Sequence, residues 1–217
     1  AVSAHGGVVD AVVGTRWVLA NKGDQKHPDV RARLVATEVN KKKNLDFFAA
    51  TPPLEAFRFL LACAASNKTH GVFLADVRKA HLNGKAVRNV LVHLPPEEGG
   101  VGWLERSLYG TRDAALCWEK EVEQFMTTTM GLTTGKCSPC VWFSPNVEGL
   151  GSLRVVCHGD DIVAEGPGPA LLLLRQRLDE KWLTSFKGIL SFDHQLKTTD
   201  SLRILGRYVT CDNSGYH

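Results

Sequence analysis

Two apolar runs, Leu153-Arg154-Val155-Val156-Cys157 and Ile162-Val163-Ala164, flank His158-Gly159-Asp160-Asp161, and this stretch restricts the chain more than any other. Val, Ile and Cys suit strands; Gly reaches positive φ at no steric cost, and Asp hydrogen-bonds nearby backbone amides. The pattern predicts a β-hairpin with an acidic tip. Standing alone, such a tip is an ordinary solvated turn. A third carboxylate changes its meaning: Asp76 lies near the end of Gly71-Val72-Phe73-Leu74-Ala75-Asp76-Val77, which reads as a buried strand. Charged groups are seldom buried unless they are paired or bind metal. If this strand lies beside the hairpin, Asp76, Asp160 and Asp161 converge and need a cation. Two Mg²⁺ ions about 4 Å apart would neutralise them, as in phosphoryl-transfer sites.

A chain of 217 residues with 44% hydrophobic content can bury a sizeable core, and one unit with two lobes is expected. No apolar run approaches a membrane span, and Ala1-Val2-Ser3-Ala4-His5-Gly6-Gly7 lacks the basic and apolar regions of a signal peptide. An intracellular protein without a membrane partner is expected, and the missing initiator Met reads as a piece of something longer. The net charge of +3, from 26 basic and 23 acidic residues, says little about nucleic acid. Position says more: Lys22, Lys26, Arg31, Arg33 and Lys41-Lys42-Lys43 gather basic charge early, as a phosphate-facing lobe or a solvated basic face would. Six cysteines without a secretory signal read as reduced thiols. Cys137-Ser138-Pro139-Cys140 has zinc-like spacing but no second pair at a matching interval, so zinc is not expected.

Along the chain, Arg16 to Asn21 and Arg31 to Val39 read as strands joined by a polar turn. Arg31 and Arg33 then share a face, where they either meet solvent or grip a triphosphate through charge-assisted hydrogen bonds. Thr51-Pro52-Pro53 suits a helix entry with Thr as cap, and Leu54, Phe57, Leu60, Leu61 and Ala64 recur at core-helix spacing. Asn89 to Leu94 reads as a strand, and Trp118, Val122, Phe125 and Met126 as a helix stripe. Glu165-Gly166-Pro167-Gly168 is expected to start the amphipathic helix from Leu171 to Trp182. Short strands are expected around residues 186–190 and 202–205.

The segments Asp76-Val77-Arg78-Lys79-Ala80-His81-Leu82-Asn83-Gly84, Ser107-Leu108-Tyr109-Gly110, Trp118 and Asp160-Asp161, with Arg16-Trp17-Val18, Arg31-Ala32-Arg33-Leu34-Val35-Ala36 and Leu205-Gly206 at the flanks, together resemble the reverse transcriptase of copia-type LTR retrotransposons. The resemblance runs from about Arg16 to about Val209. It implies an α+β fold, the fingers and palm of a polymerase right hand with an antiparallel palm sheet backed by helices and the thumb absent or truncated. Residues 1–15 would be an irregular segment, 16–209 the domain and 210–217 a truncated tail. The implied activity is RNA-directed DNA synthesis, with Asp76, Asp160 and Asp161 catalytic and, with Val77, at the metal site. Mg²⁺ is the implied cofactor, two ions, with Mn²⁺ as a substitute. Lys22, Arg31, Arg33, Val77, His81, Tyr109 and Gly110 would bind the nucleotide. Implied partners are an RNA or DNA template with primer, deoxynucleoside triphosphates and the rest of a polyprotein with RNase H and integrase, in the cytoplasm (virus-like particles) or nucleus.

Several residues depart from that family's pattern. His81 stands where an aromatic ring excludes the ribose 2′-hydroxyl, Thr111, Arg112, Asp113 and Ala115 alter the loop after Gly110, and His158 and Gly159 replace Tyr-Val. A Cys157–His158 nucleophilic pair is disfavoured because adjacent strand residues point to opposite faces. Two rival functions stay open: a degenerate remnant with at most nucleic-acid binding, and a metal-dependent nuclease on the same carboxylates, the latter weakened by the lack of a water-activating base.

Overall fold

The computed structural model describes residues 8–38 and 47–217; Lys41-Lys42-Lys43 and Leu45-Asp46 lie outside the described residues. The chain divides into two compact units, residues 1–49 with 81–121 and residues 50–80 with 122–217. Each is assembled from two separated stretches, which no shift in composition announces.

The second unit is built on a six-stranded antiparallel sheet. Its strands are β4 (His70–Val77), β7 (Thr133–Thr134), β8 (Val141–Ser144), β9 (Leu153–His158), β10 (Asp161–Pro167) and β11 (Thr184–Ser191), in the order β11-β4-β10-β9-β8-β7. β4 lies between β10 and β11 and is buried from Gly71 to Ala75, which is why its sequence is almost continuously apolar rather than alternating. Phe57, Leu60 and Ala64 of α1 (Leu54–Ser66) pack with Val72, Leu74, Val156, Val163 and Leu190. Val72 and Leu74 of β4 therefore face α1, and Phe73 and Ala75 the other side. α4 (Gly168–Lys181) buries Ala170, Leu171, Leu174 and Leu178 and packs against β10 and β4. A small sheet of β12 (Ser201–Ile204), β13 (Arg207–Asp212) and β14 (Gly215–Tyr216) adds Leu202, Ile204, Val209 and Cys211 to the α1-side core.

Two local expectations fail here. Thr51 does not cap α1: Pro53 holds the N-cap position in extended conformation, with no side-chain cap bond. Glu165 does not open a helix but lies inside β10, fully buried. Its carboxylate is satisfied by Arg154 Nη1 on β9 at 2.8 Å and by His70 Nδ1 on β4, partners that only strand pairing supplies. The residues expected to form a tail take part in β13 and β14.

The first unit contains the hairpin of β2 (Thr15–Asn21) and β3 (Val30–Ala36), and a three-stranded sheet of β1 (Ala11–Val13), β5 (Val90–His93) and β6 (Val101–Trp103). β1 lies in the segment expected to be irregular; it forms because Ala11 to Val13 pair in parallel with Val90 to Val92, a non-local match. Val13, Ala36, Val90 and Val92 make its core, backed by Leu104 and Leu108. Gly110 takes φ +88°, and a Cβ there would sit 2.1 Å from the Ala36 carbonyl oxygen, so the loop after Tyr109 closes on β3 only with glycine. Along the chain come α2 (Ala80–Asn83), α3 (Ala114–Gln124) and a π-helical turn (Phe125–Thr129), the last of these in the second unit, and Trp118, Val122, Phe125 and Met126 are buried as their spacing predicts. Among the described residues no helix is long and apolar enough to cross a membrane.

Candidate metal centre

The expected hairpin forms, with His158 paired to Asp161 across Gly159 and Asp160. Gly159 has φ +62°, the value that a type II′ turn needs at its first loop position and that a β-branched residue adopts only with strain. The departure at Gly159 thus fits the turn. β10 then pairs with β4 so that Asp161 stands opposite Asp76. The Val77 amide donates to the Asp160 carbonyl oxygen at 2.8 Å, tying the hairpin tip to the end of β4.

Register and turn together bring the three carboxylates into one group. One oxygen from each of Asp76, Asp160 and Asp161 lies within 4.8 Å of the others, with Asp160 exposed and its neighbours half-buried. Among the described residues this is the one group of three or more metal-ligating side chains so close together. Burial pushes the Asp76 carboxyl above its ordinary range, helped by the charge of Asp160 and opposed by Lys187 and Arg78. Burial also raises Asp161, helped by the charges of Asp160 and Asp76 and opposed by His158 and Lys187. Three anionic ligands with too little compensating charge are a hard-oxygen donor set of the kind divalent Mg²⁺ or Mn²⁺ takes. The donor chemistry therefore fits such ions.

Lys187 is a residue that sequence reading missed. β11 pairs Ser185 with Asp76 and Phe186 with Ala75, then shifts register so that Gly188 meets Leu74. Lys187 is the extra residue of that bulge, and bulges redirect side chains beside functional sites. Its ammonium donates to Ser185 Oγ at 3.0 Å and its charge acts on both Asp76 and Asp161. No local signal marks a bulge whose partner strand lies about a hundred residues away.

The remaining expected site residues belong to the first unit. The His81 ring lies 5.1 Å from that of Tyr109, tilted by 56°, and the Ser107 hydroxyl donates to the His81 carbonyl oxygen. Tyr109 is fixed by its carbonyl oxygen accepting from the Ala36 amide at 2.6 Å. Arg33 is exposed on β3, Arg31 pairs with Asp29 at 3.2 Å, and Lys22 begins the exposed hairpin turn, its amide donating to the Asp29 carbonyl oxygen at 2.8 Å.

The altered loop after Gly110 has a structural use. Arg88 Nη1 and Nη2 donate to the two Glu38 oxygens at 2.9 Å each, and Nη2 donates to Asp113 at 2.7 Å. The Arg112 amide completes Glu38 at 2.8 Å, and the Arg88 and Arg112 guanidinium groups lie over the Phe47 ring at 4.8 and 4.9 Å. Burial raises both carboxyls, but the hydrogen bonds and charge of Arg88 outweigh it and hold Glu38 and Asp113 below their ordinary range. Cys137 is exposed and Cys140 buried, and the described residues assemble no zinc ligand set around them.

Residues 9–172 match the family model described as reverse transcriptase (RNA-dependent DNA polymerase). The chain is 30% identical over 168 residues to the retrovirus-related Pol polyprotein from transposon TNT 1-94 of Nicotiana tabacum, covering 72% of this chain and 12% of that protein. It is 26% identical over 172 residues to the retrovirus-related Pol polyprotein from transposon RE1 of Arabidopsis thaliana, covering 74% of this chain and again 12% of the relative. The chain therefore spans about an eighth of the length of these curated relatives.

Proposed function

The chain belongs to the reverse transcriptase (RNA-dependent DNA polymerase) family, in the form carried by copia-type transposons, and on that premise we propose that it is the fingers and palm of an RNA-directed DNA polymerase. The palm is the six-stranded sheet of the second unit, and the β2–β3 hairpin belongs to the fingers. The observation that carries this reading is the meeting of Asp76, Asp160 and Asp161 within 4.8 Å. These three would hold two Mg²⁺ ions, with the Val77 backbone beside them. Bound there, the ions supply acidification of the primer 3′-hydroxyl and charge neutralisation on the departing pyrophosphate. Arg31 and Arg33, with Lys22, bind the triphosphate through charge-assisted hydrogen bonds, while His81 and Tyr109 orient the sugar and Gly110 lets the loop approach the nucleotide. The chemistry needs no covalent nucleophile. Template with primer, deoxynucleoside triphosphates and the remainder of a Pol polyprotein are the proposed partners.

Primer extension on an RNA template with Mg²⁺ and deoxynucleotides tests this, with Asp160→Asn run beside the unaltered chain. The expected result is extension that requires deoxynucleotides and is lost in the variant. Duplex binding without extension would instead favour a catalytically silent remnant.

A further inference from the structure

Strand pairing in the second unit places four polar side chains in one row across the sheet. His158 of β9 stands opposite Asp161 of β10, Asp161 opposite Asp76 of β4, and Asp76 opposite Ser185 of β11. Residues directly opposite one another in an antiparallel pair share a face, with Cβ atoms about 5 Å apart. The acidic group therefore has an imidazole at its β9 edge, next to Asp161 and on the far side of it from Asp76. His158 is half-buried and close enough to act through its charge on the Asp161 carboxyl. Among the described residues its ring makes no hydrogen bond, so both ring nitrogens are available to a ligand.

The ring lies outside the set of ligand atoms that meet within 4.8 Å, and it joins them by turning about its own side-chain bonds. Space at the hairpin tip permits this: a Cβ added at Gly159 would meet no atom within 4 Å beyond its chain neighbours. Nitrogen changes which ion such a site prefers. Mg²⁺ keeps to oxygen donors, whereas first-row transition ions gain affinity from imidazole, Co²⁺ more than Mn²⁺. A histidine and a carboxylate facing one another at this spacing can hold one ion about 2 Å from each donor.

We infer that His158 is a further ligand to the ion beside Asp161 and makes the site prefer a first-row transition ion to Mg²⁺, which rests on the three carboxylates being the divalent-ion site proposed above. The carboxylates supply the charge that holds any divalent ion, and the imidazole supplies the discrimination between ions.

The test is metal binding by the full chain, with no primer, template or deoxynucleotide present. Mn²⁺ on the unaltered chain is expected to show coupling to a ligand nitrogen in pulsed electron paramagnetic resonance. His158→Phe, which keeps a flat ring without the nitrogens, should lose that coupling. Mn²⁺ affinity in the variant is expected to fall about tenfold and Co²⁺ affinity further, while Mg²⁺ affinity, read by titration calorimetry, stays unchanged. Asp160→Asn, run beside it, separates this inference from the reading on which it rests. Mn²⁺ binding that needs Asp160 but shows no nitrogen coupling, or that is as tight in His158→Phe as before, overturns the role of His158 and leaves the carboxylate site standing. Equal losses of Mn²⁺ and Mg²⁺ affinity in His158→Phe overturn it too, since a distorted hairpin has that effect. An unaltered chain that binds no Mn²⁺ overturns both.

Discussion

Each unit of this protein gathers carboxylates, and the two groups stand in opposite electrostatic states. In the first unit Glu38 and Asp113 share Arg88, a guanidinium nearly buried with them, and both are held more acidic than ordinary carboxylates. In the second unit Asp76 and Asp161 are half-buried beside Asp160, and both are held less acidic than usual. Burial pushes all four the same way. The difference is a cation: the fold supplies Arg88 to one group, whereas the charges of Lys187, Arg78 and His158 leave Asp76 and Asp161 in the other still less acidic than usual. A carboxylate group closed by its own arginine acts as a brace, and one left short of positive charge is available to a ligand.

The largest expected effect lies in the open group. Asp161→Asn should lower primer extension on the order of 10³-fold, the loss of several kcal/mol of charge stabilisation, while leaving the protein folded by circular dichroism. Loss of fold in that variant would mean that the second group is a brace as well. The reciprocal change is Arg88→Met, which strands two buried carboxylates. It should destabilise the first unit by about 3–5 kcal/mol in urea unfolding, and a loss well below that would show that Arg88 is dispensable.

Divalent ions should separate the groups next. At Mn²⁺ a hundredfold above its dissociation constant, the stability of the unaltered protein should rise by about 2.7 kcal/mol, read as an upward shift of the melting temperature. Asp160→Asn should show little of that shift and Arg88→Met should retain it. Acid distinguishes them in another way. Because Glu38 and Asp113 have folded values below their ordinary 4.5 and 3.8, the stability they contribute is fully present above those values. It is lost as pH falls through the lowered folded values. Melting followed from pH 6 downward should therefore show a loss beginning below about pH 4 that is much reduced in the double variant Glu38→Gln/Asp113→Asn. The smallest effect belongs to Lys187→Met. Removing an exposed cation beside Asp76 and Asp161 should cost at most about 1 kcal/mol without metal and should tighten Mn²⁺ binding, measured by electron paramagnetic resonance, since a competing positive charge is gone.

Much of this was legible in the chain itself. The Asp160-Asp161 hairpin, the Asp76 strand, the α1 and α3 core stripes and the arginines alternating on β3 all appear where local pattern puts them, because turn chemistry and side-chain period are properties of neighbouring residues. The misreadings share a cause. Glu165 looked like a polar helix start because Arg154 and His70, which let a carboxylate be buried, are 11 and 95 residues away. β1 was invisible because its partner β5 lies nearly eighty residues on. Arg112 and Asp113 read only as alterations of the loop after Gly110, because the partners with which the Arg112 amide and Asp113 complete a brace, Glu38 and Arg88, are 74 and 25 residues away.

The sequence by itself determined which residues can ligate a divalent ion, where the chain turns to expose them and which strands are apolar enough to be buried, since all of these depend on residue chemistry over short range. Only the tertiary structure decided that β4 lies between β10 and β11 with Asp76 opposite Asp161, that a bulge turns Lys187 toward them, and that Arg88 closes one carboxylate group while the other stays open. Pairing register and the sharing of one cation among distant carboxylates depend on long-range packing, which local sequence pattern does not encode.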